Sequence, residues 1–284
     1  MKLPLIGGHV SAAGGFSRAV ERGTAIHASV IQIFGGSPRA FRAALPSASA
    51  VAEYRKALTA SPIRAVYLHA AYLVNLASPS PDLYEKSLAS IIDHLRIAEA
   101  LGAEGLIFHP GSFGASPRKD AIAQEIEGMR EALKAVPGKA KLLVENTAGG
   151  GTKIGGTLDD LAALVKPFRT PRVGICFDTA HGLEAGLVPA YTPAGVRAFA
   201  REFDTSIGLE RLIAIHANDS QTLSGSHHDR HENIGKGEIG LRGFRALAAA
   251  SEFRTPAWIL EVPGFSGEGP DKKNIDILTS CFQS

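Results

Sequence analysis

The run "HHDRH" places His227, His228, Asp229 and His231 within five consecutive residues of a loop punctuated by glycine. Earlier in the chain, "FDTAH" sets Asp178 three residues before His181, and a strand-end turn can aim both inward. A third pattern is dispersed. Short apolar runs end in a polar residue: "LIGGH" in His9, "AVYLH" in His69, "LIFH" in His109, "LLVE" in Glu145, "ICFD" in Asp178, "AIH" in His216 and "WILE" in Glu261. Imidazoles and carboxylates are acids, bases and metal ligands. One such residue alone is a bonded rim residue or a helix cap. A set brought together is different, because buried like charges repel and desolvation is costly unless a cation offsets it. Imidazoles mixed with carboxylates, without a well-placed thiolate, suit Zn, Mn or Fe, whereas calcium prefers oxygen donors throughout. Asp229 and His231 are two residues apart and point the same way in an extended loop. The candidate ligands are then His69, His109, Glu145, Asp178, His181, His216, Asp229, His231 and Glu261. That set is too large for one tetrahedral ion and fits two or three.

The elements that must position them are legible. The runs "LPLIGGH", "SVIQIF", "IRAVYLH", "EGLIFH", "KLLVE", "RVGICFD", "RLIAIH" and "AWILEV" are each about strand length and rich in aliphatic residues. Helical text separates most of them. In "SPDLYEKSLASIIDHLRIAEALG", Ser80 is an N-cap, Pro81 the first helical residue and Gly102 the stop. In "GTLDDLAALV", Thr157 is an N-cap with Asp160 three residues on, in capping-box spacing. Strands alternating with helices predict an α/β fold with a parallel sheet. Eight such units predict a (β/α)8 TIM barrel, one domain over 1–284, with its active site at the C-terminal ends of the strands. The rival, a doubly wound open sheet, lacks a GxGxxG after its first strand.

The 284 residues carry 30 Lys and Arg against 28 Asp and Glu, so no polybasic character points to a partner. The two cysteines show no disulfide framework. No apolar run approaches the roughly 20 residues needed to span a bilayer, and the N-terminal stretch has no signal-peptide core. A cytoplasmic protein is expected. Charge favours a phosphate substrate. Three divalent ions against four carboxylates leave an excess of roughly +2, which binds a hydroxide and a phosphate oxygen. Clustered metals assist in-line displacement.

Taken with "GGHVSAAGGF", "YLHAAYLVNLASP", "LIFHPGS", "VENTAGGGTKIGGT", "GICFDTAHGLEAG", "IHANDSQTLSGSHHDRHENIGKGEIG" and "ILEVPG", these residues resemble the endonuclease IV family of apurinic/apyrimidinic endonucleases over essentially the whole chain. The resemblance implies three Zn2+ ions, with Mn2+ or Fe in some positions. One ion is held by His69, His109 and Glu145, and one by Glu145, Asp178, His216 and Glu261. The last is held by His181, Asp229 and His231. Glu145, Glu261 and Asp178 are the implied catalytic carboxylates, and His9 supports the ligands from behind. The implied reaction is hydrolysis, by metal-activated water, of the phosphodiester 5′ to an abasic site. It leaves a 3′-hydroxyl and a 5′-deoxyribose phosphate, and removal of 3′-blocking groups accompanies it. The implied partner is double-stranded DNA containing abasic sites or 3′-blocked ends, bound by a monomer. Arg39, Tyr72 and Leu73 match residues that fill the gap left by a flipped nucleotide. Lys153 lies in a glycine-rich loop suited to phosphates, and His227 and His228 are loop residues near DNA rather than ligands. The chain departs from the family at Gly35, Gly36 and Ser37, where larger polar residues are usual. Phe41 replaces a common Trp, and Ala70 a polar residue. Two rivals are a xylose-isomerase-like sugar isomerase or epimerase and a metal-dependent DNA-binding protein without catalysis.

Overall fold

A computed structural model describes residues 3–283. Eight parallel strands close into a barrel: β1 (Ile6–His9), β2 (Val30–Phe34), β3 (Ala65–His69), β4 (Gly105–Phe108), β5 (Lys141–Glu145), β6 (Val173–Asp178), β7 (Leu212–His216) and, after a short antiparallel hairpin, β10 (Ala257–Leu260). The hairpin pairs β8 (Asp219–Ser220) with β9 (His231–Glu232). β10 lies between β7 and β1 and closes the ring. All eight expected strands form, each within three residues of the bounds of its apolar run.

The helices are α1 (Phe16–Ala25), α2 (Ala48–Thr59), α3 (Pro81–Leu101), α4 (Arg118–Ala135), α5 (Leu158–Val165), α6 (Thr179–Glu184), α7 (Pro193–Ser206), α8 (Gly240–Ala249) and α9 (Lys272–Cys281). The caps explain their limits. The Ser80 hydroxyl accepts the Leu83 N–H, Pro81 opens α3, and Gly102 closes it at φ 72°, a left-handed conformation that glycine adopts without strain. Thr157 caps α5 by accepting the Asp160 N–H. The Asp160 side chain does not return to Thr157 as a capping box would. It pairs with Arg118 and accepts the Gly155 N–H, tying the glycine-rich loop to α4. The stronger charged partner wins over the local backbone donor.

Two apolar cores hold the molecule. The larger lies between the strands' outer face and the helices, with Tyr54, Phe108, Phe177, Phe203, Phe244 and Trp258 fully buried. The smaller fills the barrel and contains Val30, Tyr67, Ile107, Leu143, Cys176, Ala214 and Ile259.

Candidate metal centre

The inner core sets the direction of the residues beyond it. Side chains along a strand alternate between faces, so a residue two positions beyond an inward residue also points inward. Two positions beyond Val30, Tyr67, Ile107, Leu143, Cys176, Ala214 and Ile259 stand Gln32, His69, His109, Glu145, Asp178, His216 and Glu261. The pleat therefore aims seven polar side chains from seven strands at one mouth of the barrel.

Their atoms converge. Glu145, fully buried, is the hub: Oε2 lies 3.1 Å from His69 Nε2 and 3.2 Å from His109 Nε2, while Oε1 lies 2.9 Å from His216 Nδ1 and 3.4 Å from His181 Nδ1. His216 Nδ1 is also 3.2 Å from Glu261 Oε2 and 3.9 Å from Asp178 Oδ2. Two groups offer donor atoms all within 4.8 Å of one another: His69, His109 and Glu145, and Glu145, Asp178, His216 and Glu261. Glu145 belongs to both, as a bridging carboxylate would.

His181 arrives by a different route. "FDTAH" is not a loose strand-end turn: Asp178 is the N-cap of α6, and its Oδ1 accepts the His181 N–H at 2.9 Å. The cap sets the ring on the helix's first turn. His181 Nδ1–H donates to the Asn146 carbonyl at 2.9 Å, which frees Nε2 as a donor atom. Asp229 spans two imidazoles, with Oδ2 3.3 Å from His181 Nε2 and Oδ1 3.5 Å from His231 Nε2. His231 Nε2 is also 3.5 Å from Asp178 Oδ2. The expected trio of His181, Asp229 and His231 is thus assembled but not isolated. His181 falls in one group with Asp178 and His231 and in another with Glu184 and Asp229. The hairpin holds this loop in place. Asp219 accepts N–H groups from Gly235, Gly237, Ile239 and Gly240 on the far side of "HENIGKGEIG", which explains a loop so poor in apolar residues.

Several supporting residues escaped the sequence reading. The Gln32 amide donates to Glu261 Oε1 at 2.6 Å and to His9 Nδ1 at 2.9 Å, and its carbonyl accepts His216 Nε2–H at 2.8 Å. It thereby leaves His216 Nδ1 facing the carboxylates. Asn218 donates to Asp178 Oδ2 at 2.7 Å and accepts the Glu261 N–H at 2.7 Å. Asn146 brackets the Asp178 backbone. A polar residue inside the apolar "VIQIF", and amides one or two residues past Glu145 and His216, were the available signals. His9 sits behind this shell, 3.4 Å from Glu261 and outside every ligand group found among the described residues. Burial holds its imidazole below the usual range.

The charges are interdependent. Burial alone would raise the Glu145 carboxyl, but His216, His109 and His181 outweigh it and hold it well below the usual range. Burial alone would lower the His216 imidazole, and Cys176, Glu145 and Glu261 drive it well above. His181 moves up likewise through Asp178, Asp229 and Glu145.

The arrangement fits divalent metal. Among the described residues, the ion-pair partners of Glu145, Asp178, Asp229 and Glu261 are all imidazoles, and no Lys or Arg neutralises them. His231 Nε2 is buried without a hydrogen-bond partner between two carboxylates. Carboxylates gathered with imidazoles at this density match the donor chemistry of zinc, manganese or iron.

Around the centre the surface is open. A cleft of about 320 Å3 is lined by His69, Tyr72, His109, His181, Asp229, Arg230, His231 and Glu261. Tyr72, in its lining, is 66% exposed, and Leu73, next in sequence, is 41% exposed. Lys153 lines an adjoining cleft with both of them, and Arg39 is exposed on the turn after β2. His227 and His228 are exposed and fall in no ligand group found among the described residues. His227 Nδ1–H donates to the Ala148 carbonyl. Gly35 has a packing reason: a Cβ there would lie 2.9 Å from the His94 ring. Ala70 is buried. Gly36 and Ser37 border a further cleft beside His9 and Phe34.

A family profile described as xylose isomerase-like TIM barrel matches residues 19–281. A probable endonuclease 4 from Trichlorobacter lovleyi is 36% identical over 277 residues, covering 97% of this chain and 98% of that protein. The crystal structure of endonuclease IV from Thermus thermophilus superposes with a TM-score of 0.85 at 33% identity, covering 99% of each chain. A D-tagatose 3-epimerase-like protein has a TM-score of 0.74 at 19% identity, covering 98% of this chain and 97% of that one, and shares the fold. The chain belongs to the endonuclease IV family of the xylose isomerase-like TIM barrels.

Proposed function

We propose that this protein is a metal-dependent repair endonuclease that hydrolyses the phosphodiester 5′ to an abasic site in double-stranded DNA and also clears 3′-blocked ends. The products are a 3′-hydroxyl and a 5′-deoxyribose phosphate. One observation carries the reading: a dense His and carboxylate centre at the barrel mouth lies directly beside two exposed apolar side chains, Tyr72 and Leu73. A sugar isomerase has a use for such a centre but none for an exposed apolar wedge.

His69, His109 and Glu145 would hold one ion; Glu145, Asp178, His216 and Glu261 a second; His181, Asp229 and His231 a third, most simply all Zn2+. When bound, the metals lower the pKa of water and stabilise the entering and leaving oxygens of an in-line displacement. The chain's own residues do the rest. Glu145 holds the centre together through four imidazoles. Gln32 and Asn218 fix Glu261 and Asp178 so that their carboxylates do not have to reorganise during reaction. Tyr72 and Leu73 take the stacking place of the displaced nucleotide, aided by Arg39, and Lys153 meets a backbone phosphate. His227 and His228 lie on the rim that faces the duplex.

The test is a duplex with one abasic-site analogue beside an undamaged duplex, treated with zinc-loaded protein and with Glu145→Gln. Incision at the lesion alone, leaving a 3′-hydroxyl and lost in the variant with at least one ion, is the expected result. Full metal content with no incision would overturn the reading.

A further inference from the structure

Glu184 is the last residue of α6, three positions after His181, and residues so spaced share a helix face. Its side chain is fully buried. Oε1 is well occupied: it accepts Ser220 Oγ–H at 2.7 Å and the Arg230 N–H at 3.1 Å. Oε2 is also buried, and no hydrogen-bond donor reaches it. Among the described residues no Lys or Arg pairs with this carboxylate. The Arg230 side chain instead donates to the Asp229 carbonyl. What Glu184 does share is space with ligands. Its donor atom, one from His181 and one from Asp229 all lie within 4.8 Å of one another.

A buried carboxylate oxygen without a partner is costly, and every polar neighbour that satisfies this residue does so at the other oxygen. We infer that Glu184 is a further metal ligand, joining His181 and Asp229 through its unpartnered oxygen. The ion at His181 then faces an additional carboxylate beyond the set of His181, Asp229 and His231. That adds one negative charge and one hard oxygen donor, which suits manganese or iron as well as zinc. The residue has a second effect through Oε1. By accepting the Arg230 N–H it pins the loop between Asp229 and His231, so ligation and loop placement share one side chain. This inference rests on the metal reading of the site proposed above.

Glutamine separates the two roles, because it keeps an oxygen that accepts the Ser220 and Arg230 bonds and loses the charge. The full-length protein and its Glu184→Gln and Glu184→Ala variants are loaded with Zn2+. They are then dialysed against a graded series of chelator, and zinc content is read by elemental analysis. Melting temperatures in excess chelator show whether each variant folds. In Glu184→Gln one release step moves to chelator concentrations lower by about 10-fold or more while the remaining zinc leaves as in the parent. A release curve identical to the parent's in Glu184→Gln, with only Glu184→Ala altered, overturns the inference and leaves Glu184 a loop brace. A parent protein that retains no zinc at any chelator concentration overturns the metal reading itself, and the inference with it.

Discussion

Gln32→Leu removes an amide and little volume from the inner face of β2. The parent side chain makes three contacts of 2.6, 2.8 and 2.9 Å, to Glu261, His216 and His9, from a fully buried position. Leucine leaves the His216 Nε2–H buried and unpaired, which costs on the order of 1–3 kcal/mol. It also frees the His216 ring to turn and Glu261 Oε1 to rotate away. Loss of an outer partner of this kind weakens metal binding about 10–100-fold, equivalent to about 1.4–2.7 kcal/mol. The first cost falls on the stability of the fold, the second on the affinity for metal. Competition for Zn2+ between the protein and a coloured chelator reads the affinity directly. Gln32→Glu is the sharper companion. It still accepts the His216 proton but, ionised, has no N–H to give Glu261 Oε1, so it tests the restraint on Glu261 while the His216 bond remains. Zinc affinity in Gln32→Leu within a factor of two of the parent would refute the reasoning and reduce Gln32 to a space-filling residue.

Glu125 on α4 is fully buried with both oxygens unpartnered; burial, with a smaller contribution from Asp160, raises its pKa well above the usual value. The folded state therefore holds this proton more tightly than the unfolded chain. The stability it confers is complete below pH ~4.5 and falls by about 1.4 kcal/mol per pH unit as pH rises toward the folded value. Glu125→Gln removes that fall, so urea melts of the apo protein show the variant more stable at pH 7.5 and the gap closing toward pH 4.5. A gap constant with pH would contradict the assignment. Tyr72→Ala and Leu73→Ala each weaken incision at an abasic site, with about 1–3 kcal/mol lost for the aromatic contact, while zinc content stays at the parent value. Unchanged incision kinetics in both would remove these side chains from the DNA contact surface.

The sequence exposes most of the ring because barrel strands are apolar and their last inward residue is not. His69, Glu145, Asp178 and His216 end their strands, and His109 and Glu261 come directly after theirs, so a search for polar strand termini finds all six. That signal fails at β2. The strand runs on to Phe34, past its inward polar residue, and Gln32 is hidden two positions before the end. Alternation would have found it: Val30 is inward, so position 32 is inward, and glutamine there needs partners. Asn146 and Asn218 were missed for a related reason. Their worth lies in the candidate ligands they hold, which only the three-dimensional network reveals.

Glu184 shows a different limit. "FDTAHGLEAG" read as a strand-end turn delivers Asp178 and His181 to the mouth and releases the chain outward. Once Asp178 is seen to cap a helix, the phase changes. A helical turn carries position 184 back over the face that bears His181, and a carboxylate that reads as a loop residue becomes a buried one. The "HDRH" loop depends on the same turn, since Glu184 accepts the Arg230 N–H between Asp229 and His231. The two ligand pairs that looked independent in sequence are thus joined through one short helix. A substitution that lengthens or unwinds α6 would move His181 together with the Asp229 and His231 pair, while leaving Asp178 at the end of β6 and the group of His69, His109 and Glu145 in place, because those four stand on or directly after β6, β3, β4 and β5.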